Sequence, residues 1–365
     1  MLKYLLALKM VPGIGDITAR RLIAYCGNAE AVFHEKRGTL QKIPGIGDCL
    51  ANRVARQQML EAAERELAYA AKAGIRVMTY ESECYPFRLK QCADAPLVLF
   101  CRGEVNLDTA VVVAVVGTRR ATDYGIRSCQ ALVEGIREHR PLIVSGLAYG
   151  IDTVSHRSAL TAGLPTAGVL AHGLDRIYPP ANKQLAIKMI ESGGALLSDY
   201  FTGTNPDKEN FPKRNRIIAG LSDCVIVVEA ARGGGALITA GLANSYNRDV
   251  FVVPGRWGDP MSDGCHYLVS SNRAALLPAP EALPELMNWV KQNKIMRPVQ
   301  TELLLNLGQD EEYVVKILQE NGESGIDLLC MVSGYTISKM SAVLLELEMK
   351  NLVSALPGKR FTLKN

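Results

Sequence analysis

The chain has 365 residues, of which 48% are hydrophobic and 21% are charged, and this composition excludes an intrinsically disordered protein. A chain of this length is expected to form two or three domains. The formal net charge of +4 is too small to indicate nucleic-acid binding by itself, so such a function must depend on local clusters of Lys and Arg.

The cysteines and the first residues predict a cytoplasmic protein. Nine cysteines are scattered along the chain without a Cys-x-x-Cys pair, and their odd number leaves at least one thiol outside any intramolecular disulfide. Such a pattern is typical of a reducing compartment. The apolar segment 2–10 contains two lysines and continues into a Pro-Gly turn, which favours a folded helix over a signal peptide. No apolar run is long enough to span a membrane.

The first third of the chain contains an internal repeat. Val-Pro-Gly-Ile-Gly at residues 11–15 recurs as Ile-Pro-Gly-Ile-Gly at residues 43–47, and a basic helical segment follows each copy. The copies resemble helix-hairpin-helix motifs, in which glycines permit a tight turn that directs backbone N–H groups at a phosphate. A small helical bundle in which the hairpins only pack together is an equally open alternative. The arginines of the following helices are Arg20, Arg21, Arg53 and Arg56.

After a helix predicted over residues 62–72, the pattern changes to short Val- and Ile-rich runs that alternate with helical segments. The predicted strands are residues 111–116, 142–145, 166–170, 195–197, 224–228 and 250–253. The predicted helices between them are residues 125–139, 151–162, 182–191, 212–221 and 236–246. Nearly continuous apolar strands joined by helices predict an α/β, Rossmann-like parallel sheet that is covered on both faces.

Proline-spaced residues 278–298 separate a last segment that resembles a winged helix. Its predicted helices are residues 311–320, 326–332 and 338–350, followed by a hairpin over residues 352–361. The helix over 338–350 occupies the recognition position, but two Glu offset its two Lys, which favours a protein contact over groove reading. The predicted domains are a helical helix-hairpin-helix-like domain at 1–70, an extended Rossmann-like domain at 71–290 and a winged-helix-like domain at 298–365.

Glycine-rich turns follow four of the predicted strands. They lie at residues 117–120, 146–152, 171–173 and 232–235. In an open parallel sheet, ligands bind beyond the carboxyl ends of the strands, because loops and helix N-termini converge there. A single glycine turn can be an ordinary packing corner, whereas several glycine turns at neighbouring strand ends are harder to explain by packing. We expect phosphate contacts at the turn residues Gly117, Thr118, Gly146, Gly150, Gly234 and Gly235.

A cluster of cations begins the helix predicted over residues 212–221. Lys213, Arg214 and Arg216 lie within four residues, together with Asn215. Cations at a helix N-terminus oppose the helix dipole, at a cost of about 0.3–1 kcal/mol each, and an anionic ligand relieves this repulsion. The cluster therefore favours a binding role over a merely solvated surface.

These motifs together resemble the DNA-processing protein A family, DprA/Smf, over roughly residues 74–289. The resemblance is carried by Val-Val-Gly-Thr-Arg at 115–119, Ser-Gly-Leu-Ala-Tyr-Gly-Ile-Asp at 145–152, Phe-Pro-Lys-Arg-Asn-Arg at 211–216 and Val-Pro-Gly at 253–255. It implies a protein that binds single-stranded DNA, forms a homodimer and helps to load the RecA recombinase in natural transformation. The DNA pocket that it implies comprises Gly117, Arg119, Gly146, Gly150, Lys183, Lys208, Arg214 and Arg216.

Details of the turns refine this expectation. The sequence departs from the family pattern at Thr118, at Ala171 and at residues 233–235, but each departure keeps a small residue in the turn.

Asp152 is expected to cap the helix that follows Gly150. Aromatic residues make up only 6% of the chain, so we expect affinity to depend on phosphate contacts more than on base stacking.

The main alternative is an enzyme, a Rossmann-like nucleotide phosphoribohydrolase. Such hydrolases need a catalytic Glu after a glycine-rich loop, whereas residues 233–241 contain no carboxylate. Gly-x-Gly-x-x-Gly and Walker motifs are missing from the sequence, which disfavours a dehydrogenase and an ATPase. We therefore predict a non-enzymatic DNA-binding protein without cofactor or metal, since His and Cys form no ligand-spaced pair.

Residues 267–277 form an apolar segment that is a candidate dimer edge. Packing in the core is the more frequent explanation of such an apolar segment.

Overall fold

The structure is a computed structural model that describes residues 1–55, 59–289, 308–350, 352–356 and 360–363. It divides into two compact units, Met1–Asn293 and Lys294–Asn365, and each unit is described by itself. The predicted division into three domains stays a prediction. Within the first unit, apolar residues of the front helices and of the central sheet share one buried cluster. Arg56 and the linker at residue 298 lie outside the described residues.

The repeat at the start of the chain forms two helical hairpins. The helices described here are α1 (Leu2–Met10), α2 (Asp16–Cys26), α3 (Ala29–His34), α4 (Arg37–Leu40), α5 (Asp48–Ala55) and α6 (Leu60–Lys72). Gly13 and Gly45 have φ angles of +90° and +85°, a region that side chains disfavour, so each Pro-Gly turn requires its glycine. The helices predicted after each repeat are confirmed as α2 and α5.

The central sheet has nine strands in the part of the chain that the structure describes. They are β1 (Ile75–Thr79), β2 (Val98–Gly103), β3 (Val112–Val116), β4 (Leu142–Ser145), β5 (Thr166–Val169), β6 (Ala195–Ser198), β7 (Cys224–Val227), β8 (Asp249–Val252) and β9 (Ala275–Leu276). Their order is β1-β2-β6-β5-β4-β3-β7-β8-β9. The strands from β3 to β9 pair in parallel, which confirms the Rossmann-like sheet. The pairs β1–β2 and β2–β6 are antiparallel and were not predicted.

Helices cover both faces of this sheet. They are α7 (Phe87–Lys90), α8 (Asp123–Gly135), α9 (Ile151–Thr161), α10 (Lys183–Glu191), α11 (Asn210–Leu221), α12 (Gly235–Ser245), α13 (Asp263–Ser270) and α14 (Leu283–Leu286). Alternate residues of β3 belong to different apolar clusters, Val113 to the one with α8 and α9, and Ala114 to the one with α11 and α12. Every residue of β3 is buried, as expected for a strand covered on both faces.

The position of β3 in the sheet defines where a ligand would bind. From β3 the chain continues outward to β4, β5 and β6 on one side, and then crosses to β7 on the other side of β3. The point between β3 and β7 is therefore a topological switch point. Open α/β sheets bind ligands at such a point, in the crevice beyond the carboxyl ends of the strands.

A buried histidine in α9 gives this unit a pH-sensitive core. The hydroxyl of Thr166 donates to the carbonyl oxygen of Ile143, so it accepts the hydrogen bond from Nδ1 of His156 over 2.7 Å. Nε2 of His156 has no hydrogen-bond partner among the described residues. Burial, together with the positive charge of Arg214, lowers the pKa of His156 to about 3 from its usual 6.5. The folded protein therefore keeps this imidazole neutral.

We expect the free energy of unfolding to decrease as the pH falls below the usual histidine pKa of 6.5, because only the unfolded imidazole then takes up a proton. The expected slope is about 1.4 kcal/mol per pH unit for each such imidazole. Burial also lowers the pKa of His172, so its imidazole contributes in the same direction. Urea unfolding between about pH 7 and pH 5 measures the slope. A His156→Gln variant should lose about 1.4 kcal/mol per pH unit of this slope, and an unchanged slope would contradict this assignment.

The second unit is a winged helix. Its described elements are β10 (Ser324–Gly325), β11 (Val353–Leu356), β12 (Arg360–Leu363), α15 (Gln309–Asn321), α16 (Ile326–Ser333) and α17 (Ile337–Met349). The strands form a small antiparallel sheet in the order β10-β12-β11, so the predicted winged helix is confirmed. Among the described residues, no single helix is long and apolar enough to cross a membrane, and only α16 and α17, bent by 110°, pass that test as a pair.

The recognition helix of the winged helix, α17, exposes apolar side chains together with Glu346 and Glu348. Ile337, Leu345 and Met349 are 60%, 59% and 81% exposed, and they follow one another at helical spacing. Lys339 of the same helix is paired with Asp310. The exposed surface of α17 therefore lacks the cations of a groove-reading helix, in keeping with the balance of charges seen in the sequence.

Candidate nucleic-acid interface

A cleft of about 540 Å³ opens at the switch point, beyond the carboxyl ends of β3 and β7. Its walls are the turn after β3, the turn after β7 and the beginning of α11. The predicted site residues that line it are Gly117, Thr118, Arg119, Lys208, Arg214, Asn215, Gly234 and Gly235. The fold thus brings together residues from three distant segments of the sequence.

The turn after β3 is held in place by Glu229, which lies two residues after the end of β7. The N–H of Thr118 donates to the main-chain oxygen of Glu229 over 2.7 Å, and the N–H of Thr122 donates to its carboxylate over 3.0 Å. Glu229 is only 1% exposed. Sequence reasoning missed this residue, although a lone acidic residue at the end of a buried strand was a usable signal.

Aromatic rings surround the exposed cation Arg119 at the mouth of the cleft. The guanidinium of Arg119 lies 4.9 Å from the ring centroid of Phe211. The ring centroids of Phe211 and Tyr178 are 6.1 Å apart. Tyr149 and Tyr178 are 50% and 43% exposed. The low aromatic content of the chain did not anticipate these rings, and the expectation that affinity depends more on phosphate contacts than on stacking stays a prediction. Tyr149, inside the turn over residues 146–152, was a signal in the sequence.

Arg214 forms the floor of the cleft and is only 4% exposed. Its guanidinium donates to the main-chain oxygen of Gly146 over 2.7 Å and to that of Val169. A Cβ added to Gly146 would clash with the guanidinium of Arg214, so a larger residue there would displace the arginine. Burial lowers the pKa of Arg214 to about 10. Arg214 is therefore a buried cation beneath the site.

The carboxylate of Asp152 lies beside this buried arginine. Burial raises the pKa of Asp152, and the positive charge of Arg214 opposes that increase. The carboxylate accepts the N–H of Ala148 over 3.2 Å, in the turn that precedes α9. The expectation that it caps α9 is wrong, since the N-cap residue is Gly150 and no side chain caps the helix. Asp152 is the second residue of the helix and points back into the turn.

Arg216 lies outside the cleft and forms ion pairs. Its guanidinium is 2.6 Å from the carboxylate of Asp199 and 3.0 Å from that of Asp16, and its side chain is 14% exposed. Asp16 is the first residue of α2, so Arg216 connects the front helices to the sheet. These contacts indicate a structural role, and the predicted phosphate contact of Arg216 stays a prediction.

The position of the cations along α11 differs from the expected one. The helix begins at Asn210 rather than at residue 212, so Arg214 and Arg216 lie beyond its first turn, where the helix dipole has little effect. Lys213 is exposed but does not line the cleft. The relief of dipole repulsion by an anion therefore does not explain this cluster.

The remaining predicted residues lie around the cleft. Gly146 lines a recess of about 30 Å³ beside it, together with His172. Gly150 lines a separate groove on the side of α8 and α9. Lys183 is exposed at the first position of α10 and lines neither the cleft, the recess nor the groove.

The arginines of the two front hairpins contact the opposite hairpin. Arg21, which follows the first hairpin, donates to the main-chain oxygen of Pro44 in the second over 2.8 Å. Arg53, which follows the second hairpin, donates to that of Pro12 in the first over 2.7 Å. This reciprocal exchange favours the alternative in which the hairpins pack together, because both guanidinium groups already have partners within the protein.

The sequence profile of the DNA recombination-mediator protein A family matches residues 76–288, and that of the DprA winged helix domain matches residues 302–359. Protein Smf of Escherichia coli is 35% identical over 312 residues, which cover 82% of this chain and 80% of that protein. DNA processing protein DprA of Streptococcus pneumoniae is 43% identical over 203 residues, which cover 56% of this chain and 71% of that protein.

Solved structures show the same similarity. The X-ray structure of DprA from Streptococcus pneumoniae matches with a TM-score of 0.64 at 33% identity, covering 78% of this chain and 98% of that chain. DNA processing protein A from Helicobacter pylori, whose structure is described for its single-stranded DNA binding mode, matches with a TM-score of 0.52 at 31% identity, covering 59% and 94%. The family profile spans more than half of the chain. The chain therefore belongs to the DNA recombination-mediator protein A family, DprA/Smf.

Proposed function

We propose that this protein binds the sugar-phosphate backbone of single-stranded DNA in the cleft at the switch point, and that it acts in DNA recombination during natural transformation. The observation that carries the proposal is the convergence of two exposed cations, Arg119 and Lys208, with the glycine turns after β3 and β7. Neither cation forms an ion pair with a carboxylate in the part of the chain that the structure describes. Both charges are therefore available for phosphates.

The rest of the cleft supports an anionic ligand. Gly234 lines the cleft and is the N-cap residue of α12, so the positive end of that helix dipole faces the cleft. The carboxylate of Asp152 is also in the lining, but Arg214 lies next to it and offsets its charge. The lining is therefore cationic on balance.

The aromatic rings at the mouth suit a ligand that carries bases. Tyr149 and Tyr178 are partly exposed and line the recess together with Arg119. Stacking of one base on an aromatic ring contributes about 1–3 kcal/mol and tolerates any base. A duplex keeps its bases stacked on one another and gains less from such rings, so the arrangement favours a single strand.

A binding role without catalysis is part of the proposal. Asp152 and Glu229 are the carboxylates near the cleft that a hydrolase could use as acid or base. Asp152 is 8% exposed and accepts a backbone N–H, while Glu229 is 1% exposed and accepts the N–H of Thr122. Each carboxylate is engaged by a backbone N–H of a protein turn, which weighs against the phosphoribohydrolase alternative.

We further propose that the protein forms a homodimer in the cytoplasm and assists the loading of RecA, as the family resemblance implies. The outer edge of β9 pairs with no strand among the described residues, and Leu276 is 50% exposed there. Leu268 and Leu277 of the same candidate edge are buried, so only its exposed part supports a dimer contact. The free thiols of all nine cysteines support a reducing compartment.

A titration of fluorescent single-stranded and duplex DNA tests the proposed function. We expect tighter binding of the single strand, with log K falling linearly against log salt by about 0.7 for each phosphate neutralised. The same titration with RecA should show faster filament formation on the bound strand. Equal affinity for both DNA forms, or an affinity that does not change with salt, would overturn the proposal.

A further inference from the structure

A second cationic groove adjoins the cleft on the side of α8 and α9. Its volume is about 400 Å³. Its lining includes Arg119, Arg120, Ile126, Tyr149, Val154 and Arg157. Arg119 lines both the groove and the cleft, so the two form neighbouring parts of one surface.

The charges of this groove all have the same sign. Arg120 and Arg157 are exposed, and neither forms an ion pair with any carboxylate within the described ranges. The described lining contains three arginines and neither Asp nor Glu. Elsewhere in the same unit, Arg88 and Arg216 are paired with carboxylates at 2.6 Å. Unpaired cations that share one concave surface raise the local concentration of anions.

We propose that this groove binds the continuation of the same DNA strand, so that the backbone leaving the cleft passes Arg119 and is held by Arg120 and Arg157. This inference rests on the proposed function of the cleft. It extends that function by a second binding segment for sugar-phosphate backbone.

The remainder of the lining fits a strand better than an isolated phosphate. Ile126 and Val154 provide apolar surface next to the arginines, and Tyr149 lines the groove where it meets the recess beside the cleft. A single strand offers phosphates that alternate with apolar sugar and base surfaces, and it therefore matches this mixture. An isolated phosphate leaves the apolar part of the groove unused.

Strand length separates the two binding segments in an experiment. Wild type and an Arg120→Ala/Arg157→Ala variant are titrated with oligo-dT of about 6 and about 16 nucleotides, the range of common single-strand site sizes. We expect the short strand to be held mainly through the cleft, so the substitutions should weaken its binding much less than that of the long strand. For the long strand, the slope of log K against log salt should become shallower by about 1.4 in the variant. Its loss of affinity should be about sevenfold larger at 50 mM than at 200 mM salt.

A matched control removes the same charge from elsewhere on the unit. Arg102 and Lys188 are exposed and line neither the cleft, the recess nor the groove, so Arg102→Ala/Lys188→Ala should leave both salt slopes unchanged. An Arg157→Lys variant keeps the cation and should retain most of the long-strand affinity. Unchanged thermal unfolding verifies that each variant is folded.

The outcomes separate this inference from the proposed function. If the double variant binds the long strand like wild type, or weakens short and long strands equally, the groove is not a second segment and the inference is overturned. If wild type binds neither strand, the proposed function of the cleft fails first.

Discussion

Replacing Arg214 with Ala is expected to destabilise the unit that contains the sheet by about 3–5 kcal/mol, and to abolish DNA binding as a consequence. The substitution removes two hydrogen bonds to the main-chain oxygens of Gly146 and Val169, in a region closed to water. It also leaves the buried carboxylate of Asp152 without its neighbouring positive charge. Buried groups that lose their partners account for most of the expected cost.

Urea unfolding and DNA titration of the same variant separate stability from binding. Arg214→Lys should be intermediate, because an ammonium keeps the charge but lacks the planar guanidinium whose Nη1 donates to both main-chain oxygens. Adding Asp152→Asn to Arg214→Ala should restore part of the stability, since no unpaired buried charge remains. If Arg214→Ala unfolds like wild type and yet loses DNA binding, then Arg214 contacts the phosphates directly and its structural role is wrong.

Much of the sheet unit could be predicted from the sequence, because local patterns determine it. Strands β3 to β8 begin and end within one or two residues of the predicted limits, since covered parallel strands need continuous apolar runs. The place of the cleft was also predictable, because glycine turns follow the strands on both sides of the switch point. The antiparallel strands β1 and β2 were missed, because they precede the region in which strands and helices alternate regularly.

The roles of individual cations were harder to predict. Arg214 lies three and four residues before Ile217 and Ile218, which are buried, so helical periodicity already placed it on the inner face of α11. A concentration of like charges nevertheless suggested an exposed cluster. For Arg216 no local signal exists, because its partner Asp16 is 200 residues away in the sequence. Contacts of this kind depend on the tertiary fold alone.

The largest loss of DNA affinity without a loss of stability is expected from Arg119→Ala/Lys208→Ala. Each charged contact contributes about 1.5–3 kcal/mol, so the double variant should bind single-stranded DNA at least about 100-fold more weakly. Its salt slope should become shallower by about 1.4. Both side chains are exposed, so the thermal unfolding temperature should stay that of wild type.

Lys213→Ala is the matched control for the single variant Arg119→Ala, since each removes one positive charge. Lys213 is as exposed as the other two cations and lies close to Lys208 in the sequence, but it does not line the cleft. If the geometry of the cleft determines binding, its removal should change the affinity by less than about threefold, the effect of one screened surface charge. A loss equal to that of Arg119→Ala would show that overall positive charge attracts the DNA, and that the switch-point cleft has no special part in holding it. Comparing the DNA affinities of Lys213→Ala and Arg119→Ala therefore tests whether the geometry of the cleft or the net positive charge determines binding.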